Sequence, residues 1–222
     1  MPRAYIDYKT SSRLDKEAVR WQLSLYGYLG GLKYEKKATF REQDHTYWIG
    51  DKQLISVTQL LKKHHLSTDF SMVNKDVLNA KSERGTLIHK EIETYLKTGE
   101  MGFTSELYDF IEWQEENQVK AIASEIIVNN DLVAGTVDLI AESPNFTAEI
   151  IALHLDGEKC RSYPLELIPT EEIERLLECE RKGEIYKPKE LIVPAMAIKE
   201  LYKIELLIQS MEKKKKEAEK KS

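Results

Sequence analysis

The alternation of apolar and polar residues predicts where the chain is extended and where it is helical. Residues 4–10 alternate and are rich in β-forming side chains, which predicts an opening strand. A helix follows over 15–29 and is expected to end at Gly30-Gly31. The segment 46–55 predicts a small hairpin outside the core sheet, and Ser56 is placed to cap a short helix through Lys63.

The rest of the chain divides into a helical middle and a strand-rich second half. Helices are predicted in the middle at 75–82, 84–97 and 104–117. Four strands are then expected to form the sheet, at 121–128, 132–141, 149–155 and 160–168. One helix is predicted from Thr170 to near Gly183, and a long one from 195 to about 220.

Length and composition favour one domain with a single hydrophobic core and a helical appendage. The 222 residues are 41% hydrophobic and 32% charged, enough for one substantial core. We therefore predict a single domain over 1–190 and a C-terminal helix with a lysine-rich tail over 191–222. The net charge of −5 does not indicate a nucleic-acid binder, although the tail lysines suit either a solvated helix end or a DNA-backbone contact.

The chain has no run of about 18 consecutive apolar residues and does not open with a basic, then apolar, leader. We therefore expect a cytoplasmic protein without a membrane partner. Cys160 and Cys179 lie in different predicted elements without CxxC spacing. This argues for reduced thiols and against a zinc ribbon or an iron–sulfur cluster.

Asp7 and Lys9 are the first candidates for chemistry. Residues i and i+2 of a strand point to the same face about 6–7 Å apart, so this carboxylate and ammonium lie together. Ile6 and Tyr8, the apolar residues on either side of Asp7, can face the core while the charged pair faces a cleft. The geometry suits a metal ligand beside a catalytic cation, although such pairs also occur by chance on half-exposed strands.

Asp138 is conspicuous because it lies within an otherwise apolar strand. An unpaired carboxylate buried there is costly and needs a cation or hydrogen-bond donors. The alternative is a surface aspartate on an edge strand. Gly135 in the same strand is typical of a bulge or of a close backbone approach, such as one beside a bound phosphate.

His89 borders the buried stripe of its predicted helix and shares a face with Glu93 at i+4. A packed or hydrogen-bonded histidine is the alternative to a ligand, and the spacing does not match the two-histidine helix of zinc proteases. Gln22 and Tyr26, also four residues apart, can project together toward the end of the strand that carries Asp7 and Lys9.

Four motifs together resemble the RecB-like branch of the PD-(D/E)XK nuclease superfamily, which includes small phage-encoded exonucleases. The resemblance covers residues 4–30 and 40–185 and leaves out the last helix. It implies an α/β fold with a restriction-endonuclease-like mixed central β-sheet flanked by helices, here with a C-terminal helical extension. The motifs are Gly85-Thr86-x-x-His89, Gly135-Thr136-Val137-Asp138, Asp7-Tyr8-Lys9-Thr10-Ser11 and Gln22-x-x-x-Tyr26.

The resemblance also implies roles for these residues. A divalent cation, magnesium or manganese, would be coordinated by His89, Asp138, Asp7 and the Tyr8 backbone carbonyl. Lys9 would orient or activate the attacking water and stabilise charge on the phosphate, and Gln22 and Tyr26 would position the strand or the lysine. Glu125 and Glu93 are secondary candidates.

One departure from the family is the order of the segments. Reading 38–147, then 4–37, then 148 onward restores the usual order, so residues 1–37 are transposed to the N-terminus. The transposition requires the linker 143–147 to pass the Asp7 strand, about 10 Å for two strand spacings.

These implications lead to one main function and two alternatives. We expect a metal-dependent deoxyribonuclease, more specifically an exonuclease acting on linear DNA ends in recombination, repair or end processing. It would work in the cytoplasm of a bacterial or phage-infected cell, with DNA and a recombination protein as partners. The alternatives are a catalytically inactive DNA-binding or recombination scaffold that keeps the fold, and an unrelated α/β protein with chance motifs.

Overall fold

A mixed, open β-sheet flanked by helices forms the framework of this α/β protein. A computed structural model describes residues 1–10, 14–32, 36–70 and 72–188. The strands are β1 Arg3–Lys9, β2 Thr39–Arg41, β3 Thr46–Ile49, β4 Lys52–Ser56, β5 Lys120–Asn129, β6 Val133–Glu142, β7 Ile150–Leu155 and β8 Cys160–Leu165. The helices are α1 Lys16–Gly31, α2 Val57–Lys63, α3 Lys75–Thr98, α4 Ser105–Glu116 and α5 Thr170–Lys182.

The sheet separates two hydrophobic layers, because successive strand residues point to opposite faces. In β7, Ile150 and Ala152 pack on one face with α1, α2 and α5. Ile151 and Leu153 pack on the other face with α3 and α4. This alternation on a strand that is buried throughout explains why its sequence is almost continuously apolar.

The strand order is β2-β3-β4-β6-β1-β7-β8, and β5 pairs with the other edge of β6. β1 is antiparallel to β6 and parallel to β7, so it lies between two strands that follow each other along the chain. The connection from β6 to β7 therefore passes the end of β1, as the sequence predicted. Ser143 of this connection donates a backbone hydrogen bond to the Pro2 carbonyl at 3.2 Å.

The prediction that the hairpin lies outside the core sheet is wrong. β4 pairs in parallel with β6, with Ile55 opposite Val133 and Ser56 opposite Ala134. The reason is apolar burial, because Tyr47 and Leu54 pack against Ala134 in a small hydrophobic cluster. The hairpin also gains a third strand, β2, which the sequence pattern did not predict.

Two helix boundaries also differ from the prediction. The helices expected at 75–82 and 84–97 are one 24-residue helix, α3, which Asn74 caps and which runs through Gly85. No proline interrupts it, and a lone glycine weakens a helix without ending it. Helix α1 likewise continues to Gly31, and Gly30 within it faces the Tyr5 hydroxyl, which a Cβ at Gly30 would approach to 2.6 Å.

The chain divides into two units, Met1–Tyr186 and Lys187–Ser222. The first unit contains every helix and strand described above. The predicted C-terminal helix over 191–222 lies outside the described residues. Among the described residues, no helix is long and apolar enough to cross a membrane.

Candidate metal centre

Asp138 lies where the pairing of β6 with its neighbours on both edges is disturbed. The β1–β6 pairs end at Ile6 opposite Leu139, and the next positions in that register are Asp7 and Asp138. On the other edge, Ser124 pairs with Leu139 and Ile126 with Val137, which leaves Glu125 opposite Asp138. Carboxylates on three adjacent strands therefore converge, and like charges facing each other across a sheet are destabilising.

The backbone is distorted at the same place. Glu125 has a φ of 51°, in the left-handed region that disfavours side chains with a Cβ. A register shift between Ala121 and Ala123 lies just before it on β5. Such a conformation costs about 1 kcal/mol or more and tends to cluster at functional sites. The backbone strain at Glu125 is therefore a second indication of a functional site, independent of the convergence of carboxylates.

His89, Glu125 and Asp138 form a group that can hold a metal ion. One ligand atom from each lies within 4.8 Å of the others. His89 is contributed by α3, and its Nδ1 is 3.8 Å from Oδ1 of Asp138. The other Asp138 oxygen, Oδ2, accepts a hydrogen bond from the Tyr8 backbone N–H at 2.8 Å. This bond fixes the carboxylate and leaves Oδ1 directed toward the histidine.

The protonation preferences of this group fit a divalent cation. Burial, followed by the nearby charge of Asp7, raises the pKa of Asp138 well above its usual value. Burial lowers the pKa of His89, which favours the neutral imidazole that binds metals. Lys9 and the Tyr8 N–H compensate the charge of this buried carboxylate only in part, and together with a neutral imidazole it forms a donor set that a cation would stabilise.

Glu125 and Glu93 add to this negative charge. Burial, and after it the charge of Glu93, raises the pKa of Glu125 to about 7. Glu93 itself forms an ion pair with Lys97 one helical turn further along α3. Of the two secondary candidates, Glu125 therefore belongs to the metal-binding group, whereas Glu93 lies beside it with its own cation.

Asp7 has different partners. Its Oδ2 is 2.7 Å from the Lys9 ammonium, and its Oδ1 accepts a hydrogen bond from Gln22 Nε2 at 3.1 Å. Gln22 Oε1 in turn accepts from Lys9 at 3.2 Å, and Gln22 Nε2 also contacts the Tyr26 hydroxyl at 3.0 Å. These contacts confirm the prediction that the four residues lie close together. The group of His89, Glu125 and Asp138 does not include Asp7, whose carboxylate contacts Lys9 and Gln22, and the predicted ligand role of Asp7 stays a prediction.

Lys9 is held as a cation. Its burial alone would lower its pKa, but the charges of Asp7 and Asp138 outweigh this effect and raise the pKa above the usual value. A lysine in this state donates hydrogen bonds and positive charge and does not accept a proton at neutral pH.

Gly135 is closely approached by the side chains of Tyr26 and Val57, whereas the sequence pattern suggested a close approach to a bound phosphate. A Cβ at this position would lie 2.5 Å from Cε1 of Tyr26 and 3.1 Å from a methyl group of Val57. The absent side chain therefore makes room for the Tyr26 ring. Helix α1 can pack closely enough on β6 for Gln22 to reach Asp7.

Tyr8, whose backbone carbonyl stays a predicted metal ligand, contacts the site through both its ring and its main chain. Its ring is buried and packs edge-on against His89, with centroids 5.4 Å apart, and against Phe110 at 5.5 Å. Its main chain hydrogen-bonds both Asp138 and the His89 ring. Tyr8 thus links β1 to two members of the metal-binding group.

A cleft of about 630 Å³ opens onto these residues. Its lining comes from the end of β1, one side of α3, β5 and the turn after β2. Members that carry charge or bind ligands are Lys9, Glu42, Lys81, His89, Lys90, Glu93 and Glu125. Another depression of about 360 Å³, between α1 and α5, contains none of them.

The sequence pattern predicts Glu125 only as a secondary candidate and does not point to Glu42 at all. Glu125 lies in an ordinary alternating strand, and only its register against β6 distinguishes it. Glu42 precedes the hairpin predicted at 46–55. Because the sequence pattern does not join that hairpin to the sheet, it does not bring Glu42 to the cleft. No protein family model, no curated protein and no solved structure matches this chain, so the site's own geometry carries the functional argument.

Proposed function

We propose that the protein is a divalent-metal-dependent deoxyribonuclease with the restriction-endonuclease-like fold of the PD-(D/E)XK superfamily. The observation that carries the proposal is the placement of a metal-binding group beside a lysine cation at one open cleft. Phosphodiester hydrolysis needs both, because negative charge develops on the phosphate as water attacks. Exonuclease action on linear ends is the preferred mode.

His89, Glu125 and Asp138 would hold the cation. Two carboxylates and an imidazole suit magnesium or manganese, the second of which accepts nitrogen ligands more readily. The bound ion would supply positive charge at the scissile phosphate and acidify an attacking water. The convergence of Asp7, Glu125 and Asp138 at neighbouring strand positions supports this assignment, because the cation would relieve their mutual repulsion.

Lys9 would stabilise charge on the phosphate. The raised pKa keeps it protonated, which favours electrostatic stabilisation and orientation of water over removal of a proton. Lys9 and the metal-binding His89 and Glu125 line the same cleft, so one phosphate can meet both sources of positive charge.

Asp7, Gln22 and Tyr26 would position Lys9. The ammonium is 2.7 Å from Asp7 and 3.2 Å from Gln22, and Tyr26 contacts the Gln22 amide from the other side. A flexible lysine side chain loses much rotamer freedom when it is ordered, and these contacts bear that cost before substrate arrives.

The proposal is tested by digestion of linear single- and double-stranded DNA after removal of metal and addition of Mg²⁺ or Mn²⁺. We expect cleavage only with metal, and covalently closed circular DNA should resist if the enzyme needs an end. Lys9→Ala should lower the rate by about 10²–10³-fold. Lys120→Ala is the matched control, because Lys120 is exposed at the far end of β5 and should leave the rate unchanged.

Activity that is unchanged in Lys9→Ala would reject the proposal. DNA binding without cleavage under any metal condition would instead favour the non-catalytic scaffold.

A further inference from the structure

The hairpin formed by β2 and β3 carries aromatic side chains on both faces, and we call residues 39–49 the aromatic hairpin. Phe40 lies opposite Tyr47 with ring centroids 5.0 Å apart, and the His45 ring is 5.8 Å from Phe40. On the other face, the Arg41 guanidinium lies 4.0 Å from the centre of the Trp48 ring.

Phe40 is not needed to fill the core. It is 36% exposed and does not belong to the cluster of Ala38, Tyr47, Leu54 and Ala134 that joins the hairpin to the sheet. Tyr47 and His45 pack against its ring, and the exposed part of the residue is open to solvent.

The aromatic hairpin is continuous with the metal centre. Glu42, the first residue of the turn after β2 and two positions from Phe40, lines the cleft together with His89 and Glu125. The Tyr47 hydroxyl is 2.9 Å from Oγ1 of Thr136, two residues before Asp138 on β6. Phe40 itself lies outside the cleft lining, so a chain would reach it by leaving the cleft past Glu42.

Electrostatics limit what such a chain can be. Lys9, Lys81 and Lys90 line the cleft together with Glu42, Glu93 and Glu125, whose charges a bound cation would offset in part. Arg41, next to Glu42 in the chain, has no carboxylate partner among the described residues. Positive groups along a path and an exposed aromatic ring at its end are the combination that binds single-stranded nucleic acid. Duplex DNA would offer Phe40 no base face, because its bases are stacked on each other.

We propose that Phe40 is a stacking platform for a nucleobase of a single-stranded DNA segment held in the cleft. The inference rests on the proposed nuclease function and names its substrate as a single strand or a splayed end. Stacking on an aromatic ring is tolerant of sequence, because every base has a π face. The platform therefore sets strand type and not base identity.

The test is a coupling between the side chain and the base. Binding of a twelve-nucleotide oligothymidylate and of an abasic oligonucleotide of equal length is measured by fluorescence anisotropy. The Lys9→Ala background keeps the DNA intact. Phe40→Ala should weaken oligothymidylate binding by roughly tenfold and leave abasic binding unchanged. Phe40→Tyr, which retains a ring, should restore the affinity.

Phe103→Ala is the matched control, because Phe103 is 96% exposed and lies between α3 and α4, outside the aromatic hairpin. It should change neither affinity. Equal effects of Phe40→Ala on both oligonucleotides, or no effect on either, would overturn the platform, as would a loss of oligothymidylate affinity in Phe103→Ala as large as that in Phe40→Ala. The measurement does not depend on hydrolysis, so base-dependent coupling without any cleavage would keep the platform and reject the nuclease.

Discussion

The two sides of Asp138 are built differently. On the β1 side, the Asp7 carboxylate has an ammonium at 2.7 Å and an amide at 3.1 Å, both from the protein. On the β5 side, the Glu125 carboxylate has no hydrogen-bond partner in the described part of the chain and occupies a strained backbone position. The Asp7 side has its own counter-charge in Lys9, whereas the negative charge at Glu125 is offset only in part, by Lys97 of α3.

This difference indicates that the two sides have different roles, one in positioning Lys9 and the other in binding a cation. The β1 side holds Lys9 in place through close packing and hydrogen bonds, which are present before any ligand arrives. The β5 side keeps Glu125 and Asp138 close together at a cost in repulsion and desolvation. A cation would recover that cost on binding, so folding energy is stored where metal binding can release it.

Asp138→Asn should have the largest effect on cleavage, because Asp138 lies between the β1 side and the β5 side. An asparagine keeps an acceptor for the Tyr8 N–H but removes the charge that would hold the cation. We expect the metal-dependent DNA cleavage rate to fall by about a thousandfold or more. Initial rates on linear DNA at saturating Mn²⁺ measure the effect.

Asp51→Asn, in the exposed turn between β3 and β4, is the matched control and should retain the full rate. A rate within tenfold of wild type in Asp138→Asn would mean that Asp138 is not a ligand.

The contrast also explains what could be predicted from the sequence. Asp7 with Lys9, and Gln22 with Tyr26, follow from the local periods of a strand and a helix, and the structure brings all four together. Asp138 could be singled out because its strand is otherwise apolar. These inferences needed only neighbours within four residues.

The pairing of distant segments could not be predicted in the same way. Glu125 meets Asp138 only through the antiparallel register of β5, which a shift near Ala121 alters by one position. The hairpin joins the sheet because Tyr47 and Leu54 find an apolar partner on β6. Such pairings depend on which strand is adjacent, and the pattern within one strand does not contain that information.

A second change targets the packed β1 side alone. Gly135→Ala would place a Cβ 2.5 Å from the buried Tyr26 ring, so α1 or the ring must move. We expect the free energy of unfolding to fall by about 2 kcal/mol. The loss should be the same with EDTA and with Mn²⁺, because packing on this side does not depend on the cation. Urea denaturation under both conditions measures it.

Gly27→Ala on α1 is the control, since its Cβ would meet the Tyr5 ring at 3.9 Å, an ordinary contact. There we expect a gain of about 0.5–1 kcal/mol from helix propensity. A Gly135→Ala protein as stable as wild type would show that the close approach does not hold α1 in place.

The β5 side should respond to pH through Glu125. The pKa of Glu125 is raised from 4.5 to about 7, so the protonated form favours folding. This stabilisation is complete below about pH 4.5 and is lost as the pH rises through 7. Metal-free Glu125→Gln should therefore match wild type at pH 4.5 and be more stable at pH 8. With allowance for the partial exposure of Glu125, we expect a difference of about 1 kcal/mol.

Urea denaturation at both pH values, with EDTA and then with Mn²⁺, measures this difference. Manganese should stabilise wild type at pH 8 and stabilise Glu125→Gln much less, because the variant has lost one carboxylate of the metal-binding group. Glu116→Gln, at the exposed end of α4, is the control and should follow wild type throughout. If Glu125→Gln also follows wild type at pH 8 without metal, the β5 side stores no repulsion, and the two sides of Asp138 do not differ in the way the structure indicates.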